Sequence, residues 1–123
     1  MYTLNIINNK EMPFLQYIDL GIKKAECRIA TPYIKNFKIG ETLLLINNKD
    51  NEYVKCTIEY LHFYKSFEEM IASEKVNNLV PFVKTETEAL KIYKSFPGSN
   101  RVKSFGCCAI GVKSIESKLN FKI

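Results

Sequence analysis

Apolar and polar positions along this chain follow two periods, and the switches between them divide it into elements. The segment YTLNII reads as a short first strand. From Pro13 the positions Phe14, Tyr17, Ile18 and Gly21 fall at helical spacing, with Pro13 suited to a first turn and Gly21 to a C-terminal cap. In KAECRI the period becomes two: Ala25, Cys27 and Ile29 share one face, while Lys24, Glu26 and Arg28 share the other. This predicts a strand with an apolar back and a charged front. TPYIKNFKIG reads as a turn-rich connection closed by Gly40, and Glu41–Asn47 as a buried strand. After an NKDN turn comes a long strand in which Val54, Cys56, Ile58 and Tyr60 alternate with Tyr53, Lys55, Thr57 and Glu59. Two capping boxes follow, Ser66 with Glu69 and Thr85 with Glu88, and each opens a helix. The second carries the stripe Ala89, Leu90, Tyr93 and Phe96 and stops at Pro97 and Gly98. Ser104–Val112 is apolar on both faces and reads as a central strand. The order predicts an α+β domain: a small, closed or nearly closed β-barrel, mostly antiparallel, flanked by about three helices.

A length of 123 residues, 46% hydrophobic and 25% charged, suits one continuous domain with its own core. No repeat and no Gly/Ser/Pro-rich linker divides it. The core is expected over about residues 13–112, with residues 113–123 unassigned. No window has the roughly 20 apolar residues of a membrane span, and the N-terminus lacks a signal-peptide pattern. Cys27, Cys56, Cys107 and Cys108 lack the paired spacing of a zinc site and sit among apolar positions, which predicts free thiols in a reducing, cytoplasmic compartment. Neither a metal nor a cofactor is expected, since no phosphate-binding glycine loop occurs either. A monomer is the default.

Eighteen basic against thirteen acidic side chains give a net charge of +5, which favours polyanionic partners, nucleic acid first. The wealth of Lys, Asn and Ile also fits an AT-rich genome, prokaryotic or viral, which raises the lysine count without selection for binding. The sharpest local feature is GIKKAECR, Gly21 to Arg28. Glu26 and Arg28 share a strand face and can pair; Lys23 precedes the strand and can aim elsewhere. A carboxylate that poses an arginine prepares it for bidentate contact with phosphate or a base edge. The competing reading is a surface ion pair worth at most about 1 kcal/mol. Tyr17, one turn before Gly21, is placed either to stack on a base or in the core. Lys35, Lys38, Arg101 and Lys103 are candidates for a basic rim. His62, the only histidine, has no conspicuous nucleophile and reads as a partly buried strand-end residue. Cys107 and Cys108 point to opposite faces of their strand and read as core.

The pattern G-x-K-x-x-E-x-R, at Gly21, Lys23, Glu26 and Arg28, resembles the signature of the ASCH domain, of the PUA-like superfamily of small β-barrels. PFLQYIDLG resembles the helix leading into that signature, KIGETLLLIN its glycine and core strand, and HFYKSFEEMI its Tyr-x-Ser-Phe helix start at Tyr64, Ser66 and Phe67. ALKIYKSF with FGCCAIGV resembles the closing helix and last barrel strand. The resemblance runs from about Pro13 to Val112. It implies a cleft beside the barrel that binds RNA or a nucleotide, with Lys23, Lys24 and Arg28 as cationic contacts, Glu26 posing Arg28 or accepting from a base, Tyr17 stacking, and Gly21 and Ser66 as structural positions. On that reading Lys23→Ala and Arg28→Ala weaken RNA binding and leave thermal stability nearly unchanged. The family also contains amidohydrolases acting on an acetylated nucleoside through a lysine and a threonine nucleophile. Glu26 stands at the threonine position here, so that covalent mechanism does not carry over. A hydrolase using Lys23 and Glu26 as an acid/base pair is the alternative, and a protein-interaction module a further one.

Overall fold

A computed structural model describes all 123 residues. Five strands form one sheet: β1 (Tyr2–Asn5), β2 (Ala25–Ile29), β3 (Thr42–Asn47), β4 (Glu52–Tyr64) and β5 (Cys107–Lys118). Their spatial order is β1-β3-β4-β5-β2. β1 pairs with β3 in parallel and the other pairings are antiparallel, as the hairpin-like spacing implies. The sheet curls into a half-barrel, so the two edge strands, β1 and β2, approach across an open seam. The fold is α+β as expected, but the barrel is completed across this seam by side chains rather than by a strand ladder.

Six α-helices flank the sheet: α1 (Phe14–Asp19), α2 (Pro32–Lys35), α3 (Phe67–Glu74), α4 (Val76–Leu79), α5 (Glu86–Ser95) and α6 (Val102–Phe105), with a 3-10 turn at Ser99–Arg101. The three expected from periodicity are α1, α3 and α5. The others are single turns of four residues, too short to display a 3.6-residue period, and α2 lies inside the segment read as a plain connection. No helix is long and apolar enough to cross a membrane.

The capping boxes form as the sequence requires. Ser66 Oγ accepts from the Glu69 N–H at 3.1 Å, and Thr85 Oγ1 from the Glu88 N–H at 3.1 Å. Behind the sheet, Leu43 and Leu45 of β3 and Val54, Cys56 and Ile58 of β4 meet Leu15 and Ile18 of α1, while Met70 and Ile71 of α3 join the same core. All four cysteines are free: Cys56, Cys107 and Cys108 are buried and Cys27 is half-buried.

Ordered elements lie on both sides of the core range 13–112: β1 falls within YTLNII, where a first strand is expected, and residues 113–118, left unassigned, continue β5, paired with β4 as far as Tyr53↔Lys118. The polar composition of that stretch hides its pairing, because neither of its faces is buried and only Ser114 is half-covered. β4 enters this pairing through two register shifts, at Lys55/Cys56 and Ile58/Tyr60.

At the start of β5, Gly106 has φ +73° and ψ −167°, backbone that L-residues avoid, and a Cβ there would meet the Tyr64 carbonyl oxygen at 2.5 Å. Gly106→Ala is expected to lower unfolding free energy by about 2–4 kcal/mol, read as a drop in the urea midpoint with unchanged slope. An unshifted midpoint would mean that this turn relaxes freely.

Candidate functional site: a cleft at the sheet seam

The chain enters the site through the end of α1. The carbonyl of Tyr17 accepts from both Ile22 N and Lys23 N at 3.0 Å, and Gly21, at φ +76°, supplies the left-handed turn that redirects the backbone into β2. That turn sends Lys23 inward. Its side chain is fully buried, with Nζ 2.7 Å from the Ala25 carbonyl, 2.5 Å from the Leu79 carbonyl and 3.5 Å from Glu26 Oε1, over the ring of Phe14. Burial pulls the ammonium below the usual lysine range, and the Glu26 charge works in the opposite direction.

Glu26 is also buried. Its Oε1 accepts from the Cys27 N–H at 3.2 Å and its Oε2 from Arg28 NH2 at 3.1 Å. Burial alone would raise its carboxyl; Lys23 and Arg28 outweigh that and hold it below the usual glutamate range, so it is an acceptor-only anion at neutral pH. Arg28 keeps 26% of its side chain exposed, and a second bond from NH2 reaches the Asn5 carbonyl at 2.6 Å. That bond bridges β2 to β1, the two edges that share no ladder. The charged face of β2 is thus turned into the seam, not out to open solvent. A surface ion pair does not describe it.

Between the edges lies a cleft of about 320 Å³. Asn5 and Ile6 border it from β1 and the residues after it, Glu26 to Ile29 from β2, and Tyr93, Phe96 and Arg101 from α5 and the turn that follows. Both faces of β2 contribute because it is an edge strand. Arg101 is exposed, with its Nε donating to the Gly98 carbonyl at 3.1 Å.

Of the residues expected to gather here, Glu26 and Arg28 do. Lys23 contacts Glu26 from behind and does not line the cleft. Lys24 is exposed outside it, with its backbone tying β2 to Asn78 and Val112, and Tyr17 stacks on Phe82 at 5.9 Å between centroids. Both are corrections: strand alternation places Lys24 on the face of Glu26, but its side chain is exposed away from the cleft, and the ring of Tyr17 packs on Phe82 of the α4–α5 connection rather than facing the seam. Of the basic rim, only Arg101 borders the cleft; Lys35, Lys38 and Lys103 do not. Ser66 acts as the α3 cap. His62 lies elsewhere, with its side chain 52% exposed and not mostly covered; its Nδ1 sits 2.7 Å from Glu74 Oε2 and its ring stacks on Tyr60.

Among the lining residues outside the predicted set are Cys27, which the strand pattern places in the core, and Tyr93, one member of an apolar stripe; a phenol in a buried stripe needs a partner for its hydroxyl, and that need is the signal that marks it.

The fold and the seam define a class, an α+β protein whose curled five-stranded sheet holds a small charged cleft between its edges. Two solved structures share this fold over nearly the whole chain. One is the crystal structure of the hypothetical protein PH0355, at 27% identity and TM-score 0.79, covering 93% of this chain and 98% of that one. The other is the solution NMR structure of the protein PF0455 from Pyrococcus furiosus, at 27% identity and TM-score 0.71, covering 94% and 97%. No family model and no curated protein matches the sequence.

Proposed function

We propose that this chain is a PUA-like domain of the ASCH type that binds RNA or a nucleotide in the seam cleft. The observation that carries the reading is the convergence there of Arg28, posed by Glu26, with the exposed Arg101, in a concavity whose other walls are mostly apolar. Posed guanidinium groups suit phosphate, and apolar walls suit a base. The net charge of +5 adds long-range attraction for a polyanion. Lys23 takes a different part from the one its motif position suggests: with two carbonyls and a carboxylate around Nζ and no exposure, it holds Glu26 in place and does not touch the ligand. The same enclosure keeps the Lys23 ammonium away from anything bound in the cleft, so a Lys23–Glu26 acid/base pair lacks its lysine partner and binding is preferred to hydrolysis.

Arg101 offers the cleanest test, because its only hydrogen bond is to Gly98 in its own turn. Arg101→Ala is expected to weaken binding of a short single-stranded RNA about three- to tenfold in fluorescence anisotropy, to flatten the salt dependence, and to leave the thermal midpoint unchanged. Wild-type affinity and salt slope in the variant would remove the cleft from the RNA interface.

A further inference from the structure

Tyr93 stands out among the polar groups of the cleft. The residue is 4% exposed, it lines the cleft, and its hydroxyl is the one buried side-chain polar atom in the protein without a hydrogen-bond partner. Leaving a buried hydroxyl unpaired costs stability that Phe at the same position would not cost, so the group needs an explanation. The ring is well accommodated, stacked on Phe67 at 5.7 Å; only the oxygen is idle. Burial, with Cys27, Glu26 and Cys107 nearby, pushes the phenol well above its usual range, which keeps it a donor.

We infer that Tyr93 and Glu26 form a reader for a single nucleobase bearing an amino group, bound as a nucleoside monophosphate or as one unstacked nucleotide of an RNA, with its phosphate toward Arg101. This rests on the nucleotide reading above and adds the ligand class and the residues that select it. A volume of about 320 Å³ lies near the small end of ligand pockets, with room for one nucleotide and not for a run of stacked bases. The walls from Ile6, Phe14, Phe67 and Phe96 suit the faces of a planar heterocycle.

The two polar groups then set a demand. Glu26 is ionised and can only accept, so whatever meets its free lone pairs must bring N–H. An exocyclic amino group projects beyond the ring and reaches a recessed carboxylate. The imino N–H of uracil is flanked by two carbonyl oxygens that would face the same negative charge. Tyr93 supplies the complementary donor, which the ring nitrogen or carbonyl beside the amino group accepts. Adenine, cytosine and guanine satisfy both groups, and uracil does not.

The test is calorimetric titration of AMP, CMP, GMP and UMP against the wild-type protein and Tyr93→Phe, with thermal melts of both unliganded proteins. The expected result is that the amino-bearing monophosphates bind at least about tenfold tighter than UMP. Tyr93→Phe is expected to lose about tenfold in affinity for them while its unliganded melting temperature rises by a few degrees. A tyrosine with a purely structural role would not move affinity and stability in opposite directions. Equal binding of UMP, or unchanged affinity in Tyr93→Phe, overturns the inference. Binding of oligo(U) as tight as that of oligo(A) or oligo(C), with no response to any monophosphate, overturns it while leaving the RNA reading intact. Absence of binding to both monophosphates and oligonucleotides overturns the two together.

Discussion

Lys23→Ala is expected to lower unfolding free energy by about 3–5 kcal/mol, the range for breaking a buried ion pair by removing one partner. From sequence alone almost no change is expected, because a motif lysine beside a strand reads as a ligand contact. Its position argues otherwise. Nζ ties the Ala25 carbonyl of β2 to the Leu79 carbonyl at the end of α4, and its charge balances Glu26. Removing the side chain takes the ammonium donor from two carbonyls and the nearest countercharge from Glu26, whose Oε1 keeps only the Cys27 N–H, and opens a void beside Phe14. Lys23→Met refills the void without restoring the charge and should recover only part of the loss. The check is equilibrium denaturation of both variants at pH 7. A midpoint for Lys23→Ala within error of the wild type would return this lysine to the surface. Its effect on ligand affinity should follow from Glu26 and Arg28 losing their pose, so affinity and stability fall together, unlike in Arg101→Ala.

The second large effect is expected at Glu52, a residue with no cation near it. This carboxylate, 1% exposed at the start of β4, accepts from Asn8 Nδ2 and Asn47 Nδ2 at 3.2 Å, from Gln16 Nε2 at 3.4 Å and from the Asn120 N–H at 2.9 Å. It gathers the β1–α1 connection, the end of β3 and the chain after β5 at one point. Burial alone would raise its carboxyl, but the Asn120 N–H and the three side-chain amides more than offset that and hold it below the usual range. Glu52→Ala strands several donors at once and should cost about 3–4 kcal/mol. Because the folded pKa lies below the unfolded one, the carboxylate stabilises the protein fully above the ordinary glutamate pKa. That stability is lost as pH falls through the depressed value, the unfolded chain binding the proton first. Glu26 shifts in the same direction and adds to the acid limb. Denaturation midpoints should therefore be level from neutral pH down to about 5 and fall steeply below about 4.5. In Glu52→Gln that acid limb should be shallower. An identical limb in the variant would show that the network does not sense this charge.

These two residues also mark where sequence reading stops. Helical period, capping boxes and strand alternation are local properties, set by which side chains must face a core and which hydroxyl can reach an N–H three residues on. They were legible for α1, α3, α5, β3 and β4 and for the α+β class. The one-turn helices, the continuation of β5 to Lys118 and the parallel pairing of β1 were not, because each depends on a partner distant in the chain. At the site, the pairing of Glu26 with Arg28 followed from their spacing of two. The inward course of Lys23 did not, since its acceptor at Leu79 lies 56 residues away, and the same holds for the bond from Arg28 to Asn5.

By itself, then, the sequence determined the longer elements, the apolar side of most of them and the strand that carries the paired Glu26 and Arg28. Only the tertiary structure decided that this strand is an edge, that the sheet curls until it faces the other edge, and that the concavity between them takes Arg28, Arg101 and the unpaired hydroxyl of Tyr93 while excluding Lys23, Lys24 and Tyr17. The physical reason is that secondary structure is chosen by near neighbours, whereas burying a charge depends on donors and acceptors that only the folded chain brings within about 3 Å.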